Sequence, residues 1–169
     1  TEPVEFPSSY EGQSLLANGN SVYYSYTLPE KAEDDPREYV KHFFAEVDLT
    51  KPSQPKQQKA VNVPGTLLAV QGDTIYTQDV MWGSTVAQSA INKLELKDGL
   101  AYRKASYLFA NQLVENVKMD GEGHVLVSHK KAYSMQQNCS GPSSNEEYVT
   151  KLTILATSDL SLVSDVEVD

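Results

Sequence analysis

Three histidines, His42, His124 and His129, are the side chains of this sequence best suited to acid–base chemistry or metal binding. The stretch that holds His124 and His129 is predicted to be a strand. Because successive side chains of a strand alternate between its two faces, residues five apart point in opposite directions and are poorly placed to share a metal ion. His42 precedes Phe43 in another predicted strand, where a packed histidine is the commoner outcome. We therefore assign no histidine a catalytic or metal-binding role.

Other reactive motifs give weak signals. The sequence contains neither a Gly-x-Ser-x-Gly nucleophile motif nor a Gly-x-x-x-x-Gly-Lys phosphate-binding loop. The turn Asp120-Gly121-Glu122-Gly123 resembles part of a calcium loop, so Asp120 and Glu122 are weak calcium candidates. It lacks the spaced ligands and the distal Glu of an EF-hand, and Asp-Gly is also a common hairpin turn. We expect no cofactor and no enzymatic activity from these residues.

Aromatic residues are better candidates for a binding surface. Asp79 and Trp82 lie where a predicted hairpin ends, and Tyr24 and Tyr26 lie in another predicted strand. Trp and Tyr at the rim of a β-structure can stack on sugars or anchor a protein partner. A Trp82 side chain wedged in the core is the alternative. These four residues are the candidate ligand- or partner-binding residues.

Composition predicts an all-β protein. The chain has 169 residues, the size of one ordinary domain, and 40% of them are apolar. Tyrosine is abundant, with ten residues. Strings of Val, Leu, Ile, Thr and Tyr recur between clusters of Gly, Pro, Asn and Asp, which is typical of strands separated by turns.

Charge and cysteine content limit the partners. The formal net charge of -9 repels phosphate backbones and anionic membrane surfaces, so a nucleic-acid partner is not expected. No apolar run approaches the roughly 18 residues of a membrane span, and no membrane insertion is expected. The single cysteine, Cys139, excludes an internal disulfide. The first residue is Thr rather than Met, as in a mature secreted or lipid-anchored protein or an excised domain, and we expect an extracytoplasmic location.

An internal repeat organises the chain. Gly19-Asn20-Ser21-Val22-Tyr23 matches Gly72-Asp73-Thr74-Ile75-Tyr76 in residue type. Val47–Pro52 matches Leu94–Gly99, and more loosely Ile154–Asp159. The matches define three units, approximately 14–64, 65–112 and 113–169, each of about four antiparallel strands. Four strands about every 50 residues indicate β-propeller blades, while a twelve-strand sandwich or an open meander is the alternative.

One phrase carries a family resemblance. Val47-Asp48-Leu49-Thr50-Lys51-Pro52-Ser53-Gln54-Pro55, followed by Val63-Pro64-Gly65, resembles the VDLSDPxxP…LPG phrase of secreted bacterial proteins with a beta-propeller domain. It resembles propeller repeats of the LVIVD type more distantly. The resemblance implies that Asp-Leu-Thr and the two prolines shape the turn between the third and outermost strands. Only the first unit carries the full phrase, and Asp98-Gly99 replaces the prolines in the second.

Three blades make an incomplete ring, because a closed propeller needs four to eight. We expect a protein partner or a second copy of the chain to complete it, since a two-fold dimer would give six blades. The function predicted first is a non-catalytic binding or scaffold module. A carbohydrate-binding lectin assembled by oligomerisation is the alternative. A fragment of a propeller enzyme with its catalytic residues elsewhere is the second alternative.

Overall fold

The computed structural model describes residues 14–31, 38–82, 87–131 and 149–168, in which every regular element is a β-strand. Among these residues no helix is present that could cross a membrane. The strands are β1 (Ser14–Asn18), β2 (Ser21–Lys31), β3 (Glu38–Asp48), β4 (Lys56–Gln57), β5 (Val61–Val63), β6 (Thr66–Gln71), β7 (Thr74–Trp82), β8 (Ala87–Lys97), β9 (Leu100–Phe109), β10 (Gln112–Met119), β11 (His124–Lys131), β12 (Thr150–Ala156) and β13 (Leu162–Val168).

The strands form three sheets in chain order. The first sheet has the order β1-β2-β3-β4, with β5 also paired to β3, so that two short strands share the fourth place. The middle sheet has the order β6-β7-β8-β9 and the last sheet β10-β11-β12-β13. The sheets are antiparallel and are not closed into a barrel. This confirms the predicted fold class, all-β with about three four-stranded blades of an incomplete ring.

The repeat is visible in the turns. Gly19 and Gly72 adopt nearly the same left-handed φ, 58° and 59°, which glycine reaches without strain. The carbonyl of the residue after each glycine then accepts a backbone N–H from the C-terminal end of the third strand. Leu49 N–H donates to Asn20 O and Leu96 N–H donates to Asp73 O, both at 2.7 Å. The match between the two predicted hairpins is thus a match in hydrogen bonding as well as in sequence.

The third unit has an equivalent hydrogen bond, but its residues lie one position away from those that the sequence comparison had matched. Thr157 N–H donates to Gly123 O at 2.8 Å, so Thr157 takes the place of Leu96. The sequence comparison had paired Ala156 with Leu96, and that pairing is wrong by one residue. A one-residue slip exchanges the two faces of a strand. In the corrected register Leu155 is equivalent to Leu94 and both are fully buried, at 0% and 1% exposure.

The described residues fall into two compact units. The first contains residues 14–77 and 94–102, and the second contains residues 78–93 and 103–168, so the division runs through β7, β8 and β9. In the first unit one face of the first sheet packs on the middle sheet. Its core consists of seven buried residues: Tyr23, Phe44, Val63, Leu67, Val70, Ile75 and Leu94.

Side-chain to main-chain hydrogen bonds accompany that packing. Asn18 Nδ2 donates to Val70 O at 2.9 Å, and Ser14 Oγ donates to Leu67 O at 3.4 Å. Leu67 N–H donates to Ser25 Oγ over a long 3.5 Å. The edge backbone of β6, which has no strand on that side, therefore receives partners from β1 and β2.

The second unit has a comparable hydrogen bond, although Ser89 lies on the third strand of its sheet and Ser25 on the second. Val114 N–H on β10 donates to Ser89 Oγ at 3.4 Å, as Leu67 does to Ser25. Lys93 Nζ donates to Ser158 O at 2.6 Å. The packed face of the last sheet includes Val114, Val125, Val127 and Leu155, all buried.

Burial separates the last sheet from the other two. On the first sheet the consecutive residues Ser25, Tyr26 and Thr27 of β2 are buried, as are Phe44 and Ala45 of β3. Consecutive residues Ile75, Tyr76 and Thr77 are all buried on β7, and so are Ser89–Asn92 on β8, so both faces of these strands are covered. Along β11, by contrast, buried and partly exposed residues alternate from His124 to Lys130. Only one face of the last sheet is packed, because side chains alternate between faces.

A substitution of Leu94 tests whether the core of the first unit is packed as described. Leu94→Ala is expected to lower the free energy of unfolding by about 2–5 kcal/mol, because it removes a fully buried side chain and leaves a cavity. Leu100→Ala is the matched control: Leu100 is 57% exposed, and its loss should change stability by no more than about 0.5 kcal/mol. Urea titration of both variants measures this, and equal effects would contradict the assigned packing.

Candidate functional site

The three histidines lie in different surroundings. His42 is half-buried on β3. His124 is partly exposed at the start of β11, and His129 is 2% exposed near its end. His124 and His129 lie on opposite faces of the strand, as their spacing predicts. No group of three or more metal-ligating side chains exists among the described residues.

Asp120 closes a turn. Its Oδ1 accepts the backbone N–H of Glu122 at 2.7 Å and of His124 at 2.9 Å. Its Oδ2 lies 2.6 Å from Nδ1 of His124. The hydrogen bond from the His124 backbone is the main cause that lowers the pKa of Asp120. These contacts occupy the carboxylate that was named as a weak calcium candidate, and Glu122 contributes its backbone to the turn.

His129 belongs to a buried polar network. Its Nε2 lies 2.7 Å from Oγ1 of Thr153, and that hydroxyl donates to Oδ1 of Asp165 at 2.6 Å. The hydroxyl has one proton, which goes to the carboxylate, so its oxygen accepts from Nε2–H and Nδ1 is unprotonated. Nδ1 is buried without a hydrogen-bond partner. Burial is the main cause that lowers the pKa of His129, and it outweighs the nearby Asp165.

A shallow concavity of about 400 Å³ lies beside this network. Its lining residues are Ala110, Asn111, Gln112, His129, Lys130, Val149 and Lys151. Lys130 forms an ion pair with Glu115, and Lys151 with Glu167 at 3.2 Å. The Nδ1 atom is inaccessible to solvent and so does not open onto the concavity. The network therefore positions strands β11, β12 and β13 and does not present a base to a bound molecule.

An aromatic surface lies on the first sheet. The rings of Tyr24 and Tyr26 stack with centroids 5.8 Å apart, and those of Tyr26 and Phe43 stack at 5.6 Å. The strand register places Leu15 and Val22 on the same face, opposite the packed face. We call these five residues the aromatic face. Burial raises the pKa of Tyr26, which is 5% exposed, whereas Leu15 is 69% exposed.

A second apolar surface lies on the last sheet. The register places six residues together on the face opposite the packed one: Leu113, Leu126, Leu152, Ile154, Val166 and Val168. We call this set the aliphatic face. None of the six is buried, and Val166 and Val168 are 48% and 51% exposed. The same register also places Asn116, Lys118, Ser128 and Lys130 on this face, toward β10. A sheet face with six unburied apolar side chains is a surface that a partner can cover.

The structure brings together two of the four candidate binding residues. Tyr24 and Tyr26 are adjacent in the first unit. Asp79 is partly exposed on β7 and belongs to the second unit. Trp82 ends β7, and its side chain lies outside the described residues, as does Cys139.

Sequence reasoning missed Leu15, Phe43 and the aliphatic face. A signal for Leu15 was present. Ser14-Leu15-Leu16-Ala17 matches Thr66-Leu67-Leu68-Ala69, and Leu67 is a buried core residue. The aliphatic face depends on the register of β12, which the sequence comparison had placed one residue away.

Comparisons with protein-family models, curated proteins and solved structures found no match to the chain. Function is therefore argued from the geometry of the two apolar faces and of the His129 network.

The His129 network predicts a pH-dependent stability. The pKa of His129 is lower in the folded chain than in the unfolded one, so the unfolded state binds the proton first as the pH falls. The contribution of His129 to the free energy of unfolding is fully present above the ordinary histidine pKa of about 6.5. Below that pH the contribution decreases, by at most about 1.4 kcal/mol per pH unit.

Urea unfolding at intervals between pH 7.5 and 5.5 measures this slope. His129→Gln should remove it, whatever that change does to stability itself, while His124→Gln should leave it in place. A slope that persists in His129→Gln would assign the pH dependence to another group.

Proposed function

We propose that this chain is a non-catalytic binding or scaffold module, made of propeller-type blades, that engages a protein through its uncovered sheet faces. The observation that carries the proposal is the aliphatic face, six apolar side chains on four adjacent strands with none buried. Monomeric soluble proteins rarely leave such a contiguous surface in water. The aromatic face supplies a second surface with stacked rings, the residue class that most often anchors protein interfaces.

The His129 network supports the non-catalytic part of the proposal. It contains a histidine that is 2% exposed and whose pKa burial lowers, and buried titratable groups of this kind are where catalytic residues are sought. Its hydroxyl and carboxylate satisfy each other, and its remaining nitrogen is closed to solvent. A general base must reach the proton that it removes.

Two measurements test the proposed function. The first is an activity assay, in which we expect no turnover of chromogenic ester, glycoside, phosphoester and peptide substrates. The second is light scattering, in which we expect a complex of defined stoichiometry, formed either by the chain alone or by the chain mixed with the product of a neighbouring gene. Turnover that His129→Gln abolishes would overturn the non-catalytic assignment. A chain that forms no complex under either condition would overturn the binding assignment.

The stacked rings favour a second candidate, a lectin that binds sugars on the aromatic face. Sugar rings pack on exposed aromatic rings, and Tyr24 is a partly exposed ring at one end of the row of stacked rings Tyr24, Tyr26 and Phe43. Tyr24→Ala is then expected to weaken binding in a glycan array at least tenfold, and Tyr107→Ala is the control, a partly exposed tyrosine on β9. An array without hits, or equal binding by both variants, contradicts the lectin.

A further inference from the structure

We propose that the aliphatic face of one copy of this chain packs on the aromatic face of a second copy, in the manner in which the first sheet packs on the middle sheet within the first unit. This inference rests on the proposed function and names its partner. It is carried by three observations: the equivalence of positions between sheets, a serine that recurs at Ser25 and Ser128, and the small number of acidic groups on the two faces.

The aromatic face corresponds to a face that is covered elsewhere in the chain. Leu67 and Ile75 of the middle sheet are buried against the first sheet, at 2% and 0% exposure. The matched positions in the first sheet are Leu15, by the Leu-Leu-Ala match, and Val22, by the Gly19–Tyr23 match. Leu15 is 69% exposed and Val22 is partly exposed, while Val47, the match of Leu94, is already buried. The aromatic face thus has the sequence of a face that receives another sheet.

The aliphatic face corresponds to the face that packs onto the next sheet. Ser21-Val22-Tyr23-Tyr24-Ser25-Tyr26 of β2 aligns with His124-Val125-Leu126-Val127-Ser128-His129 of β11. Both are second strands of their sheets. In this alignment Leu126 takes the place of Tyr23, a core residue of the first unit.

Ser128 takes the place of Ser25 in the same alignment. Ser25 Oγ accepts the N–H of Leu67 on the next sheet, and Ser89 Oγ accepts that of Val114 in the second unit. Ser128 lies on the aliphatic face between Asn116 and Leu152. A second copy would present Leu15, the match of Leu67, so its N–H is the expected donor to Ser128 Oγ.

Charge also favours these two faces as the contact. The chain carries 23 acidic residues and a net charge of -9, so two copies repel each other. The register positions of β11, β12 and β13 on the aliphatic face include no Asp or Glu, and Glu115 of β10 forms an ion pair with Lys130 of that face. The described side chains of the aromatic face on β1, β2 and β3 include none either. The acids of β11, β12 and β13 therefore lie off the proposed contact, where solvent screens them, and Glu115 is balanced by Lys130.

The area is sufficient for a stable dimer. Four strands about 4.8 Å apart and seven to eight residues long make a face of roughly 450 Å². A closed dimer with two such contacts covers four faces, at most roughly 1,800 Å² in total because Tyr26, Ala45 and Val47 are already buried, against about 1,200–2,000 Å² for stable interfaces. Three sheets from each copy then give six blades, a number that closed propellers use.

Light scattering of the purified chain at several concentrations tests the pairing. The expected mass is twice 18.7 kDa. Leu15→Asp on the aromatic face and Val166→Asp on the aliphatic face should each return the mass to that of one chain. Leu100→Asp is the matched control. Leu100 is 57% exposed, between Val166 at 48% and Leu15 at 69%, and lies on β9 outside both faces, so the change should leave the dimer intact. Circular dichroism and thermal melting show that each variant is folded.

Mixing the two variants tests the direction of the contact. The intact aliphatic face of Leu15→Asp can meet the intact aromatic face of Val166→Asp, so the mixture should recover dimers although neither variant forms them alone. A dimer that only Leu15→Asp disrupts would be a contact of like faces and would overturn the inference. A chain that stays monomeric alone but joins a different protein would also overturn it, while leaving the proposed function intact.

Discussion

Each sheet of this protein has two faces, and the need to cover both is the constraint on which the rest of the structure depends. At about 25 cal/mol per Å², a sheet face of roughly 450 Å² left in water forgoes roughly 10 kcal/mol, an upper estimate that equals the whole stability of many domains. The middle sheet meets the constraint on both sides, as the run of buried residues from Ile75 to Thr77 shows. The last sheet meets it on one side only. The first sheet meets it on one side and, at Tyr26, Ala45 and Val47, in part on the other, where Leu15 remains 69% exposed.

The sheet contacts are specified by polar groups as well as by apolar area. The first strand of a sheet presents an edge of unpaired backbone, which costs stability if it is buried without partners. Ser25 and Ser89 each supply a hydroxyl oxygen to such an edge, and Asn18 supplies an amide. A flat apolar contact could slide by one residue, whereas these bonds fix which residues meet.

The sequence predicted the architecture because its strongest signals are local. A glycine that must adopt a positive φ, followed by a short strand, is recognisable at both Gly19 and Gly72. The register of the third unit was not predicted, because Gly123 and Thr157 resemble their counterparts in hydrogen bonding but not in residue type. The two short strands β4 and β5 were also missed as a pair, since Pro52 and Pro55 mark a turn without showing how many residues return to the ladder.

The candidate site was harder to predict, because exposure is a property of neighbours and not of residue type. Leu15 and Leu67 stand in matching four-residue phrases, yet Leu15 is 69% exposed and Leu67 is 2% exposed. His129 illustrates the converse: a histidine beside a carboxylate and a hydroxyl has the composition of a catalytic group, yet its position makes it a support for β12 and β13. A repeated phrase whose copies differ in exposure locates the surface where a repeat protein lacks a neighbour, and here that comparison selects the first and last sheets.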